Sequence, residues 1–172
     1  MQEQSKSSRF EQTVLPYLDA AYNLARWLTR NDTDAEDVVQ EAYLRAFKFF
    51  DGFHGDNSRA WLLKIVRNSC YTWLQQNRVH ELFTEFDEQV HRGESENPET
   101  LMLGNINTQL LKHALETLPP EFREAVILRE FEGFSYREIA GLTEVPVGTV
   151  MSRLARARQR LQKCLADDKK ES

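Results

Sequence analysis

The chain has 172 residues, with an apolar share of 41% and an aromatic share of 10%, enough to build one medium core or two small ones. Its 22 basic and 27 acidic side chains leave a formal net charge of -5, which excludes a protein that coats nucleic acid indiscriminately; any basic surface must be local. Cys70 and Cys164 stand far apart, and His54, His80, His91 and His113 are scattered without ligand spacing, so neither a disulfide framework nor a metal or cofactor is expected. With no signal peptide and no apolar run long enough to cross a bilayer, the sequence reads as a cytoplasmic protein without membrane insertion.

Helical periodicity runs through both ends of the chain and predicts an all-α protein. Over 9–29, Val14, Leu18, Ala21, Tyr22, Ala25 and Leu28 recur at helical spacing. Asn31 and Asp32 break the chain, and Thr33 with Glu36 fits a capping box opening a helix that runs to about Phe50. That helix has Val38, Val39, Ala42, Tyr43, Ala46 and Phe47 for the core. Asp37, Gln40, Glu41, Arg45 and Lys48 lie on its outer side. A glycine-bearing loop, DGFHGDN, leads to a long helix over 58–78. This helix carries four basic residues (Arg59, Lys64, Arg67, Arg78) and no acidic one. Trp61, Leu62, Ile65 and Trp73 serve its core side, while Lys64, Arg67, Asn68, Tyr71 and Gln75 lie off that stripe. Basic groups interleaved with aromatics suit a surface that holds a strand by its phosphates and stacks its bases. A core helix with a solvated basic edge accounts for the same pattern.

The segment 80–100 departs from this composition. Seven acidic residues against Arg92 alone, together with Gly93, Ser95, Asn97 and Pro98, predict a flexible acidic linker. Beyond it, Leu118-Pro119-Pro120 precedes a helix over 121–131. Ser135 and Glu138 then form a second capping box at the start of a short helix over 136–142. A turn at 143–145 follows, and Pro146 suits the first turn of the next helix. From 145 to 163 there are five basic residues and no acidic one. Val150, Leu154, Ala157 and Leu161 fall on one side; Thr149, Ser152, Arg153, Arg156 and Arg160 fall on another. Short helix, tight turn and basic second helix make a helix-turn-helix, whose second helix reads base edges in the major groove.

The segments DAEDVVQEAYLRAF, FDGFHGD, AWLLKIVRNSCYTWL and LPPEFREAVILREFEGFSYREIAGLTEVPVGTVMSRLARAR occur in that order. Together they closely resemble the extracytoplasmic-function (ECF) sigma factors of bacterial transcription initiation. The resemblance implies two small helical domains, 8–79 and 107–166, joined by the acidic linker at 80–106. It implies core RNA polymerase as partner, through the beta-prime clamp helices and the beta flap, with Asp37, Gln40, Glu41 and Arg45 as the clamp contact. It assigns the minus-ten promoter element to Phe53, Asn57, Ser58, Arg59, Lys64, Arg67 and Asn68. The minus-thirty-five element falls to Arg129, Thr149, Ser152, Arg153, Arg156 and Arg158. An anti-sigma protein is implied as a further partner, and a linker that enters the polymerase channels. Met151 stands where many relatives carry Lys or Arg, so the promoter sequence does not transfer. No nucleophile-base pair or paired carboxylates are apparent, so no catalysis is expected. A free-standing helix-turn-helix regulator with an N-terminal sensor or dimerisation module is the alternative.

Overall fold

A computed structural model describes residues 2–77 and 106–171, and these are α-helical with short connections. The acidic linker, and Arg78 at the end of the predicted 58–78 helix, lie outside the described residues. The first helical unit comprises α1 (Gln2–Val14), α2 (Leu18–Thr29), α3 (Asp32–Phe49) and α4 (Ser58–Gln76). The second comprises α5 (Ile106–Thr117), α6 (Pro120–Val126), a π-helical continuation Ile127–Phe131, α7 (Tyr136–Thr143) and α8 (Val147–Glu171).

Three of the differences from the sequence expectation have a local reason. The run predicted over 9–29 is interrupted by a 3-10 turn, Leu15–Tyr17, because Pro16 brings no N–H donor and crowds the preceding turn. The Thr33–Glu36 capping box is not the start of α3. Arg30 ends α2 in the left-handed conformation (φ 61°), which reverses the chain and leaves Asn31 extended as the true cap, its side chain accepting from the Asp34 N–H at 3.0 Å. The predicted 121–131 helix changes from α to π at Ile127 and ends before Gly133. There φ is +71°, and the Phe134 N–H reaches back to the Leu128 carbonyl at 3.0 Å.

Packing in the first unit centres on Phe10, 1% exposed, whose ring meets Tyr43, Phe47 and Phe50 edge-on at 4.9, 5.2 and 5.3 Å. Each such pair contributes about 0.5–1.5 kcal/mol beyond its buried area. Leu24, Leu28, Val38, Leu62, Leu63 and Val66 complete the core. Leu63 and Val66 are buried, whereas the predicted core residues Trp61, Ile65 and Trp73 pack at its partly exposed edge. Cys70 is buried, and burial pushes its thiol up to about 12, so it is an inert packing group. In the second unit, Leu115, Ile127, Leu128, Phe134 and Ile139 pack against Val150, Leu154 and Ala157, the predicted apolar side of α8.

The two units also pack against each other. Arg123, 3% exposed on α6, donates to the Leu28 carbonyl of α2 at 3.3 Å and to the Leu118 carbonyl at 2.9 Å. Arg30 reaches the Glu116 carbonyl at 3.4 Å, and the Trp27 and Phe131 rings lie 6.2 Å apart. This contact sets the surroundings of α4.

Candidate nucleic-acid interface

On α3, the 3.6-residue period separates two faces. Ala35, Val38, Ala42 and Ala46 are buried, while Asp37, Gln40, Glu41 and Arg45 are exposed together. Arg45 pairs with Glu41 at 3.2 Å, one turn apart. An exposed ion pair of this kind is worth only about 0.3–0.5 kcal/mol, so it leaves the face available. Leu44 stands in the middle of this face, 69% exposed. Sequence reasoning passed over it; the available signal was an apolar residue four after Gln40 and three after Glu41, outside the buried stripe.

The residues assigned to the minus-ten element divide into two groups. Phe53 stacks on Trp61 at 4.7 Å, holding the loop against α4. Ser58 is the first residue of α4, and Asn57 caps it by accepting from the Ala60 N–H at 3.1 Å. The remaining polar groups meet the second unit. The Asn57 amide donates to Glu138 at 2.9 Å, and Arg59 donates to the Glu132 carbonyl at 2.9 Å with its guanidinium 4.1 Å over the Phe134 ring. Lys64 pairs with Glu144 at 3.1 Å. The Arg67 Nε–H is shared between the two Glu124 carboxylate oxygens at 3.0 and 3.2 Å, with the guanidinium 4.1 Å over Tyr71. Asn68 stays exposed and accepts from Arg67 at 3.3 Å. A shallow cleft between α4 and α7 is lined by Asn57, Trp61, Lys64, Glu138 and Leu142.

The Arg67–Glu124 pair is the buried one, with side chains 14% and 1% exposed. Burial raises the Glu124 carboxyl above its ordinary range even against the neighbouring guanidinium. Burial also raises the Tyr71 phenol, whose hydroxyl lies beside the same carboxylate without closing a hydrogen bond of good geometry. Glu138 behaves oppositely. The Ser135 backbone N–H holds its carboxyl below the usual carboxylate range, helped by the Asn57 amide, and the predicted capping box is fully formed.

The helix-turn-helix is α7 and α8. Glu144, left-handed at φ 58°, closes α7, and the Pro146 carbonyl opens α8 by accepting from Thr149 and Val150. Val150, Leu154 and Ala157 bind the helix to its unit, which leaves Ser152 and Arg156 exposed and Thr149 and Arg153 half-buried on the outer side. Arg158 donates to Glu130 at 3.0 Å, and Arg129 donates to the Phe134 carbonyl at 2.9 Å under the Tyr136 ring. These two assigned residues are therefore already engaged within the second unit, Arg158 at its surface. Arg160 lies 5.0 Å over Phe122. Val147 and Met151, 37% and 52% exposed, add an apolar strip one turn apart that the sequence reading did not include.

Two helical units, one ending in a helix-turn-helix with an acid-free outer face, define a DNA-binding transcription protein. Residues 13–79 match the Sigma-70 region 2 family and residues 108–161 match the Sigma-70, region 4 family. The chain is 34% identical over 173 residues to the ECF RNA polymerase sigma factor SigE of Mycolicibacterium smegmatis, covering 99% of this chain and 66% of that protein. It is 38% identical over 135 residues to the ECF RNA polymerase sigma-E factor of Escherichia coli (strain K12), covering 73% and 71%. Among solved structures it is similar to the sigma factor RpoE in complex with the anti-sigma factor NepR from Bartonella quintana, with a TM-score of 0.74 and 34% identity over 92% of this chain and 97% of that one. The chain belongs to the ECF sigma factor family. No helix among the described residues is long and apolar enough to cross a membrane.

Proposed function

We propose that this sigma factor binds core RNA polymerase, directs it to a set of promoters and helps open the duplex, acting in the cytoplasm and contributing no catalytic group of its own. The observation that carries this reading is the outer face of α3. Asp37, Gln40, Glu41, Leu44 and Arg45 are exposed side by side on a helix whose other side is buried, so the fold itself has no use for them. An apolar side chain ringed by hydrogen-bonding groups is the usual make-up of an interface hot spot. The polymerase clamp is the occupant that family membership supports. Arg153, Arg156, Ser152 and Thr149 then read the minus-thirty-five element. Asn68, Lys64, Arg67 and the loop from Phe53 to Arg59 act on the minus-ten strand. Flipping a base costs a few kcal/mol of unstacking, which polar and aromatic groups at such a site must offset. Since the similar RpoE is held by an anti-sigma protein, we extend a partner of that kind to this chain.

Gln40→Ala/Glu41→Ala tests the reading. Affinity for core polymerase, followed by fluorescence titration, falls roughly 30-fold or more if the face is a hot spot, with helix content unchanged. Equal affinity would move the core-enzyme contact off this face, whereas a wild-type chain that binds promoter DNA specifically but never core enzyme would instead support a free-standing regulator.

A further inference from the structure

Beside its polar groups, the outer face of α8 carries a row of apolar ones. Val147, Met151 and Ala155 follow one another at four-residue intervals, and all three are exposed. Gly148, Ser152 and Arg156 form the adjoining exposed row, one position on. The second unit does not use the apolar row, because α8 packs by Val150, Leu154 and Ala157 on its other side. The start of the helix is open too: a Cβ added at Gly148 would meet nothing within 4 Å. A single exposed apolar residue is ordinary. Here two large ones lie one turn apart at the start of the second helix, where a helix-turn-helix meets base edges. No acidic residue lies between 145 and 163 to repel the phosphates of a duplex.

The chemistry of these side chains narrows what they can meet. The Met151 thioether is a weak acceptor with no proton to donate, and the Val147 isopropyl group offers neither. Set against the polar edge of guanine, adenine or cytosine, they displace water from its donors and acceptors and return no hydrogen bond. The C5-methyl of thymine is the one apolar substituent that the four bases present in the major groove. Met is unbranched, with three rotatable bonds, and can follow such a group. Four residues advance about 6 Å along a helix and one base pair about 3.4 Å along a duplex, so the row reaches more than one base pair. We infer that Met151, extended by Val147, is a specificity-determining residue that packs on thymine methyl groups, so that the minus-thirty-five element of this protein carries thymine, on one strand or the other, beside the base pairs read by Ser152 and Arg156. This rests on the proposed role of α8.

The test uses the full chain, free and bound to core RNA polymerase, with a library of duplexes randomised at every position. The enriched site carries thymine at positions where Met151→Ala relaxes the preference, while the preferences that Arg156→Ala relaxes are kept. Each of those thymines is then replaced by deoxyuridine, which lacks only the C5-methyl. Wild-type affinity falls about fourfold, the loss expected for one buried methyl group, whereas Met151→Ala binds both duplexes alike. Met151 is exposed, so its replacement leaves the fold intact, with helix content unchanged. An equal deoxyuridine loss in both proteins, or no loss in either, overturns the inference. Arg153→Ala/Arg156→Ala keeps that failure apart from a failure of the role given to α8. If this double variant loses the enriched site while Met151→Ala retains every preference, α8 reads DNA without its apolar row. If the double variant still enriches the same site, α8 is not the reading helix and the inference falls with that role.

Discussion

Two basic helices in this molecule, α4 and α8, each hold a long stretch without an acidic residue and have opposite surroundings. Neither carries an acidic residue between 58 and 76 or between 147 and 163. On α4 the cations are all engaged by the other unit, Arg67 by the fully buried Glu124. On α8 the outer face stays open, and Arg156 has no ion-pair partner among the described residues. What a basic helix can do therefore depends less on its own residues than on which acids the fold brings opposite. In the arrangement described here the outer face of α8 is open to solvent, while the basic face of α4 is covered.

That contrast can be attacked at several depths. Phe134, 0% exposed, belongs to the core of the second unit and carries the Arg59 guanidinium on its ring. Phe134→Ala should lose about 3–5 kcal/mol, seen as a lowered melting temperature, and should loosen the cover on α4 at the same time. A protein that melts as wild type would show that the ring is not a structural support. On the open helix, Arg153→Ala and Arg156→Ala should each cost about 1–3 kcal/mol of discrimination at one base pair, read from binding to promoter variants. Arg158→Ala should cost no more than about 1 kcal/mol of stability, as expected for an exposed pair with Glu130, and leave sequence preference intact. Uniform loss across all sequences for the three would mean that none reads bases.

The capping groups give finer tests. Asn31→Ala should cost about 1 kcal/mol, and Thr33→Ala far less, in thermal unfolding; the reverse order would restore the Thr33 cap. For Glu138 the sign with pH follows from its lowered carboxyl. Its contribution is present above the ordinary carboxylate range and is lost as pH falls through the lowered value. Glu138→Gln should flatten that acid-side fall, since it keeps the reach without the charge. An unchanged pH profile would mean that another carboxylate controls it.

Much of this architecture was legible in the residues. Helix periodicity, the Ser135–Glu138 capping box, the turn before Pro146 and the apolar side of α8 are local patterns, written within a few residues of where they act. So was the exposed face of α3, because a helix that buries one side must present the other. The local readings that differed did so because neighbours competed. Asn31 displaced Thr33 as cap once Arg30 turned the chain, and Pro16 divided a run whose apolar spacing alone read as continuous.

The sequence by itself determined that this is an all-α chain of the ECF sigma family, and where its helix-turn-helix lies. Only the tertiary structure decided that Arg67 meets Glu124, that Lys64 meets Glu144, and that Arg129 and Arg158 bond to Phe134 and Glu130 within the second unit. Periodicity assigns a residue to a face of its own helix and says nothing of what approaches that face. Arg67 and Glu124 are 57 positions apart, and their pairing exists because apolar packing of α2 against α6 brings them together. A charge in sequence is a potential contact with water, DNA or protein, and the choice among them is made by the fold that surrounds it.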